Sequence, residues 1–190
     1  MWDTDLFLLL NFDGGETLDK IMVLISGVKL WIPLYLLILG ITWRRSGWRT
    51  MLLLLAAIGL AVGLSDIITG VFKNSGLLKG LLPESFPFRL RPGQTPELEG
   101  LIHVVKRGGM YGTFSAHAAT SLSIGYLATR AIDRRWFSWI MWTQVALVCY
   151  SRIYISSHFP QDILLGLITG FIISNLVWRG YNAILPKVAR

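Results

Sequence analysis

The chain alternates long apolar runs with short clusters of polar and charged residues. Five of the runs can cross a bilayer, because a spanning helix needs about 20 mostly apolar residues. They cover residues 18–43, 50–72, 113–132, 136–155 and 160–178. The pattern predicts an all-α, polytopic membrane helical bundle with about five transmembrane helices, in which residues 1–190 form a single membrane-embedded domain.

Two segments do not fit the spanning pattern. The apolar stretch 4–12 is too short to span and is bracketed by acidic residues, so an interfacial or re-entrant N-terminal helix is predicted. Residues 73–112 contain four prolines, which lack the backbone N–H that a regular helix needs. This second segment is therefore predicted to be an irregular loop.

Composition and charge indicate a membrane protein rather than a nucleic-acid-binding one. Hydrophobic residues make up 53% of the sequence, charged residues 15%, and mean hydropathy is +0.55. The net charge of +7 is concentrated beside the apolar runs, at 44–49, at 130–135 and in the C-terminal tail. Such clusters follow the positive-inside rule. We therefore expect the lipid bilayer, and no nucleic acid, as the partner.

The same charges predict the orientation. In a five-span chain the three basic clusters share one side, which is then cytoplasmic, and loop 73–112 lies outside. We expect a multi-pass protein of the inner membrane whose functional face looks toward the periplasm or outside. Loop 73–112 nevertheless carries six Lys and Arg residues on the side that the rule disfavours. Anion binding would explain this excess, and simple solvation of the loop is the alternative.

Residues capable of chemistry gather at the outer ends of the predicted spans. Two of the three histidines lie there, each close to hydroxyl-bearing residues. Polar groups are costly beside hydrocarbon, so their grouping at one surface indicates a function. The set comprises Lys73, Ser115, His117, Ser151, Arg152, His158 and Asp162.

These residue types suit the binding of phosphate. Arg91 and Arg152 can offer planar guanidinium groups, and Lys73 a point cation, to phosphate oxygens. The helix that begins near Ser115 adds free backbone N–H groups and a favourable dipole.

The histidines permit a two-step transfer, in which one neutral imidazole attacks phosphorus and a protonated one gives its proton to the leaving oxygen. His158 and Asp162 are four residues apart, so one helical turn can bring the carboxylate to the ring. A zinc site made of His117, His158 and Asp162 is the alternative, although the surrounding Arg and Lys residues would repel a cation. His103 lacks such neighbours and is expected to be structural or at the surface.

Part of this set resembles a signature of the type 2 phosphatidic acid phosphatase superfamily. The third motif of that family is Ser-Arg, five residues, His, three residues and Asp. It is matched in full by Ser151, Arg152, His158 and Asp162. The second motif, Pro-Ser-Gly-His, corresponds to Phe-Ser-Ala-His at 114–117.

The first motif of the family, Lys, six residues and Arg-Pro, is only partly matched. Arg91 and Pro92 reproduce its end, but Glu84 stands where the lysine is expected. Lys73, with an insertion before Arg91, is predicted to take that place, and Lys79 is the alternative.

The resemblance implies a role for each residue. His158 would be the nucleophile that forms a phosphohistidine, Asp162 would orient it, and His117 would be the general acid and later the general base. No metal or other cofactor would be needed. The phosphate would be bound by Lys73, Arg91, Ser115, Arg152 and the backbone N–H of Ala116.

The resemblance also implies the activity, that of a lipid phosphatase acting at the outer surface of the inner membrane. By family analogy, the first-ranked substrate is undecaprenyl pyrophosphate, and phosphatidylglycerol phosphate and lipid A come next. Alternatives outside catalysis are a phosphate-binding membrane protein and a transporter component. A transporter would need charges deep inside several spans, whereas the charges here cluster at one end.

Overall fold

The computed structural model describes residues 2–188, and this part of the chain is helical. Three short 3₁₀ turns, at Val28–Trp31, Pro92–Gln94 and Pro96–Leu98, and one isolated bridge between Leu90 and Tyr111 complete its regular structure. The predicted all-α class is therefore confirmed for the described residues. The helices are α1 (Trp2–Leu10), α2 (Gly15–Ser26), α3 (Ile32–Val71), α4 (Ala116–Ile132), α5 (Arg135–Tyr154) and α6 (Pro160–Val188).

Helix α3 consists of two arms rather than one rod. Gly47 interrupts it with a backbone at φ 81° and ψ 166°, a conformation that glycine adopts without a Cβ penalty. The interruption falls between the first two apolar runs. Ile38 from the first arm and Leu54 from the second are both buried in the same core cluster, so both arms pack against the bundle.

The prediction of one continuous helix over residues 18–43 is wrong. Helix α2 ends at Ser26, Gly27 is extended, and a 3₁₀ turn precedes the start of α3. Pro33 lies in the first turn of α3, where its missing N–H costs nothing because that group has no helical acceptor. The break matters because it places the Ser26 side chain against Arg152.

The last three helices agree closely with the predicted runs. Helix α4 begins at Ala116 instead of residue 113 because Ser115 caps it, and α6 continues ten residues beyond the predicted end at 178. Helices α4 and α6 approach each other closely at Gly166 and Gly170. A Cβ on either glycine would lie 2.4 Å from a backbone carbonyl oxygen of α4 or its cap. The absence of a side chain at both positions therefore allows the two helices to pack closely.

The outer surface of the bundle is apolar, as in a membrane protein. Exposed large side chains include Leu36, Leu60 and Leu176 from α3 and α6. Among residues 2–188, two helical stretches qualify as candidate spans by length and composition: Val28–Val71, with 44 residues, and Pro160–Val188, with 29 residues. The mean hydropathy of the 18-residue window in each is 2.4 and 1.6. The first is long enough for two passages, one per arm of α3.

Basic residues from separate elements meet at the end of the bundle opposite loop 73–112. The Arg45 guanidinium donates to the carbonyl oxygen of Ile132 at the end of α4. A cavity at this end is lined by Ser46, Arg130 and Asn182 from α3, α4 and α6. The basic clusters at 44–49 and 130–135 therefore share one end.

Candidate active site

The beginning of helix α4 is capped by a side chain and tied to α6. Ser115 has an extended backbone, and its hydroxyl oxygen accepts from the N–H of Ala118 at 3.3 Å, which makes it the N-cap. Ala116 is the first helical residue, and N–H groups in a first turn have no acceptor within the helix. The Ser115 N–H donates to the carbonyl oxygen of Asp162 at 3.0 Å, so this end is tied to α6. His117 follows directly.

His158 and Asp162 are in contact and buried. The imidazole Nδ1 lies 3.4 Å from Asp162 Oδ2, and the two residues are 1% and 0% exposed. The expected single helical turn is not the cause, because His158 precedes α6, which begins at Pro160. Instead Asp162 lies in the first turn of α6, where its Oδ2 also accepts from the Phe159 N–H at 3.0 Å. The carboxylate thus holds the turn that carries the histidine.

Arg152 lies in the last turn of α5 and supports the same turn. Its carbonyl oxygen accepts from the N–H groups of Ser157 at 3.0 Å and His158 at 3.2 Å. Its guanidinium donates to Ser26 Oγ, and its Nε has no hydrogen-bond partner among residues 2–188. A cavity of about 280 Å³ is lined by Arg152, Arg91 and His117. A buried guanidinium with an unused donor is suited to an anion in this cavity.

Arg91 reaches the cavity from loop 73–112. Its N–H donates to the Met110 carbonyl at 2.9 Å, and its side-chain Nε donates to the Tyr111 carbonyl at 3.0 Å. These bonds pair two pieces of the loop, and Arg91 lines the same cavity as Arg152 and His117. Burial lowers the pKa of Arg91, an effect that the negative charge of Asp162 opposes.

Lys73 and Lys79 differ in their surroundings. Lys73 follows Phe72, the C-cap residue of α3, and is half-buried, whereas Lys79 is exposed. Burial, followed by the positive charges of Arg91 and Arg152, lowers the pKa of Lys73 to about 8. Lys73 is therefore the lysine that the structure brings into the cationic cluster. Lys79 lines an adjoining cavity with Lys73 and Arg91.

The protonation of His158 follows from the same surroundings. Burial, and after it the positive charges of Arg152, Arg91 and Lys73, lowers the pKa of His158 well below its ordinary value. The ring is therefore neutral at pH 7. A neutral imidazole with one nitrogen held by a carboxylate has a lone pair on the other, as a nucleophile requires.

Arg89 is a residue of this site that the sequence analysis did not single out. Its Nη1 lies 3.4 Å from Asp162 Oδ1, and its Nη2 lies 2.5 Å from Asp3 Oδ2 in α1. Its guanidinium also stacks 3.8 Å from the Phe159 ring centre. Arg89 thus neutralises the Asp162 oxygen that His158 does not use. The sequence signal that could have found it is its position two residues before Arg91, since such residues lie on the same side of an extended segment.

Gly112 is a second residue that the sequence analysis did not single out. A Cβ added to it would lie 3.0 Å from Asp162 Oδ2, 3.1 Å from Arg91 Cγ and 3.4 Å from His158 Nδ1. Its N–H donates to the Arg89 carbonyl oxygen at 2.8 Å. The backbone of loop 73–112 therefore packs directly on the His158 and Asp162 pair.

Two predicted peripheral elements have structural roles. His103 is not in the cationic cluster; its Nε2 lies 2.8 Å from Asp19 Oδ1 and ties the loop to α2. The N-terminal helix packs on α6, where Phe7 contacts Phe159 with ring centres 5.2 Å apart. In addition, Asp3 accepts from the Gln161 N–H at 2.8 Å. Helix α1 is thus a support for the first turn of α6.

A bundle of apolar helices with a cluster of cations, histidines and a buried carboxylate at one end defines a membrane phosphatase. The chain belongs to the PAP2 superfamily, whose sequence profile matches residues 52–185. It is 30% identical over 181 residues to a lipid A 4'-phosphatase of Porphyromonas gingivalis, covering 94% of this chain and 72% of that protein. It is also 30% identical over 172 residues to a lipid A 4'-phosphatase of Bacteroides thetaiotaomicron, covering 88% and 72%.

The fold has a counterpart among solved structures. The crystal structure of Aquifex aeolicus LpxE aligns with a TM-score of 0.71 over 94% of this chain and 96% of that one, at 19% sequence identity. This likeness concerns the fold. The family assignment and the two relatives identify the chain as a lipid phosphatase, a hydrolase of the membrane.

Proposed function

We propose that this protein removes a phosphate monoester from lipid A, or from a closely similar acylated glycolipid, through a phosphohistidine intermediate and without a metal ion. The geometry that carries the proposal is the buried contact of His158 with Asp162, next to a cavity lined by Arg91, Arg152 and His117. The choice of lipid is supported by the names of the two relatives. Undecaprenyl pyrophosphate, ranked first from the sequence, becomes the alternative together with phosphatidylglycerol phosphate.

The phosphate would be bound by cations and by the end of helix α4. The Arg91 and Arg152 guanidinium groups and the Lys73 ammonium would contact the non-bridging oxygens. The Ser115 hydroxyl and the Ala116 N–H would complete the site at the helix N-terminus. Bound dianionic phosphate offsets the positive charge around the cavity, which allows His117 to hold a proton.

Two balanced steps complete the reaction. In the first, His158 Nε2 forms a bond to phosphorus, the bond from phosphorus to the sugar oxygen breaks, and His117 gives its proton to that oxygen. In the second, His117 takes a proton from water, whose oxygen attacks phosphorus and breaks the bond to His158. Asp162 orients the His158 ring and stabilises its positive charge in the intermediate.

The membrane arrangement follows from charge and helix length. We propose five spans. The first is a broken span over residues 15–46, made of α2 and the first arm of α3, and the others are the second arm of α3, α4, α5 and α6. The basic clusters at 44–49 and 130–135 lie at the end away from the site, which supports a cytoplasmic position for that end. The site would then face the periplasm from the inner membrane.

A direct test uses the purified protein in detergent. Wild-type protein and His158→Ala are incubated with lipid A, undecaprenyl pyrophosphate and phosphatidylglycerol phosphate, and released phosphate is measured. The expected result is that the wild type, and not His158→Ala, releases phosphate from lipid A. With ³²P-labelled lipid A, the label is expected on His158 when the wild-type reaction is quenched without acid. Release from undecaprenyl pyrophosphate in preference to lipid A would refute the substrate, and label on another residue would refute the nucleophile.

A further inference from the structure

A second, mostly apolar cavity adjoins the phosphate cavity. Its volume is about 150 Å³, and its walls include Val28, Trp31, Val62 and Ile124. The two cavities share His117 and Ser26 in their walls, so they meet at the proposed general acid. A lipid whose phosphate occupies the first cavity can therefore extend its adjacent atoms into the second.

One buried amide side chain in the wall of this apolar cavity has no hydrogen-bond partner among residues 2–188. Gln144 is 1% exposed and lines the cavity from α5. Both its Oε1 and its Nε2 lack a hydrogen-bond partner among residues 2–188. Buried polar groups in native proteins are nearly always paired, and an orphaned amide indicates a partner that comes from outside the chain.

The position of Gln144 limits what that partner is. Gln144 precedes Arg152 by eight residues on the same helix, which corresponds to about 12 Å along the helix axis. A primary amide offers one acceptor and two donors, and it pairs best with a group that both donates and accepts. An amide or hydroxyl near the start of an acyl chain has this character, whereas a polyisoprenyl chain has no polar group at that distance from its phosphate.

We propose that the cavity around Gln144 is a subsite for the N-acylated, hydroxyl-bearing portion of the substrate, and that Gln144 is a specificity-determining residue that hydrogen-bonds it. The apolar walls hold the first methylene groups of the acyl chain. The inference rests on the proposed lipid A phosphatase function. It adds that the enzyme recognises the amide or hydroxyl group of the acyl chain as well as the phosphate.

The test compares two substrates in two proteins. The substrates are a synthetic N-acylated glucosamine 4-phosphate lipid and a polyprenyl monophosphate, and the proteins are the wild type and Gln144→Met, which keeps the side-chain length but removes both hydrogen-bonding atoms. The wild type is expected to prefer the glycolipid in kcat/KM. In Gln144→Met this preference is expected to fall at least about tenfold, because an unpaired substrate group is strongly disfavoured at a buried site.

The outcomes separate the subsite from the function. Glycolipid hydrolysis by the wild type with an unchanged preference in Gln144→Met overturns the subsite and leaves the proposed function standing. Failure of the wild type to hydrolyse the glycolipid overturns both. Gln144→Leu is the second variant if the methionine variant does not fold, and thermal unfolding in detergent identifies that case. A preference that falls in either folded variant supports the subsite.

Discussion

The close approach of Gly112 to His158 and Asp162 allows a sharp test of the geometry of the candidate site. An alanine at this position would place Cβ 3.0 Å from Asp162 Oδ2 and 3.1 Å from Arg91 Cγ. Heavy atoms in favourable contact are about 3.5 Å or more apart, so the neighbours must move by about 0.5 Å. Asp162 Oδ2 is also the atom that contacts His158, at 3.4 Å, so the displacement is passed to the proposed nucleophile.

The size of the effect follows from this displacement. A misplacement of about 1 Å in a catalytic arrangement can cost about 10²-fold in rate. Half that displacement predicts that Gly112→Ala lowers kcat about tenfold, which corresponds to about 1.4 kcal/mol in the activation barrier. The measurement is phosphate release from lipid A at saturating concentration in detergent, with thermal unfolding to establish that the variant is folded.

A neighbouring glycine provides the matched control. At Gly109, in the same loop, an added Cβ would meet only Arg91 Nη2, at an ordinary contact distance of 3.8 Å. Gly109→Ala is therefore expected to keep kcat within about twofold of the wild type, because no atom has to move. A folded Gly112→Ala protein with wild-type kcat, or an equal loss in both variants, would refute the argument that loop packing positions the pair.

Three further predictions concern the cations, the helix packing and metals. Lys73→Ala is expected to reduce kcat/KM at least tenfold more than Lys79→Ala. A larger loss in Lys79→Ala would show that Lys79, not Lys73, is the lysine of the first motif. In the wild type, kcat/KM is expected to decline as pH rises through about 8, where the Lys73 ammonium loses its proton. Gly166→Ala is expected to lower stability by about 1–3 kcal/mol in thermal or denaturant unfolding, because its Cβ would lie 2.4 Å from the Ser115 carbonyl oxygen. Gly180→Ala on the same helix is the control, because a Cβ at Gly180 would have no neighbouring atom within 4 Å. Equal stabilities of the Gly166→Ala and Gly180→Ala proteins would contradict the packing argument. Activity is expected to persist in excess EDTA because lysine and arginine side chains neutralise the phosphate, and a loss that Zn²⁺ or Mg²⁺ restores would contradict it.

Hydropathy and motif spacing predict the features of this protein that depend on local sequence. The apolar runs located α4, α5 and α6, because a helix in lipid must be apolar over most of its length. The break after Ser26 was missed because the longer stretches on both sides of it, residues 21–25 and 30–39, are apolar. Hydropathy does not register a change of backbone direction. Lys73, Ser115, His117, Arg152, His158 and Asp162 were found because they are polar near the ends of apolar runs, and Arg91 was found from the first motif.

Long-range pairing explains what the sequence did not reveal. Arg89 contacts Asp162 from 73 positions away, and nothing in the spacing of either residue indicates the partner. Gly112 is one of 19 glycines, and only its distance to Asp162 sets it apart. The Gln144 cavity likewise depends on residues from α3, α4 and α5, which the sequence separates widely.

The packing around Phe114 explains how this chain brings the residues of the candidate phosphate site together although two of its motifs are atypical. The usual proline and glycine of the second motif are replaced, yet Ser115 is extended and Ala116 is helical, conformations that ordinary residues adopt. Phe114 stacks on Phe72 with ring centres 4.4 Å apart, which joins the end of α3 to the start of α4. Because Lys73 follows Phe72 directly, this stack holds the lysine beside the capped helix end. The insertion between Lys73 and Arg91 can then be accommodated in the loop, since tertiary packing rather than sequence spacing positions the lysine.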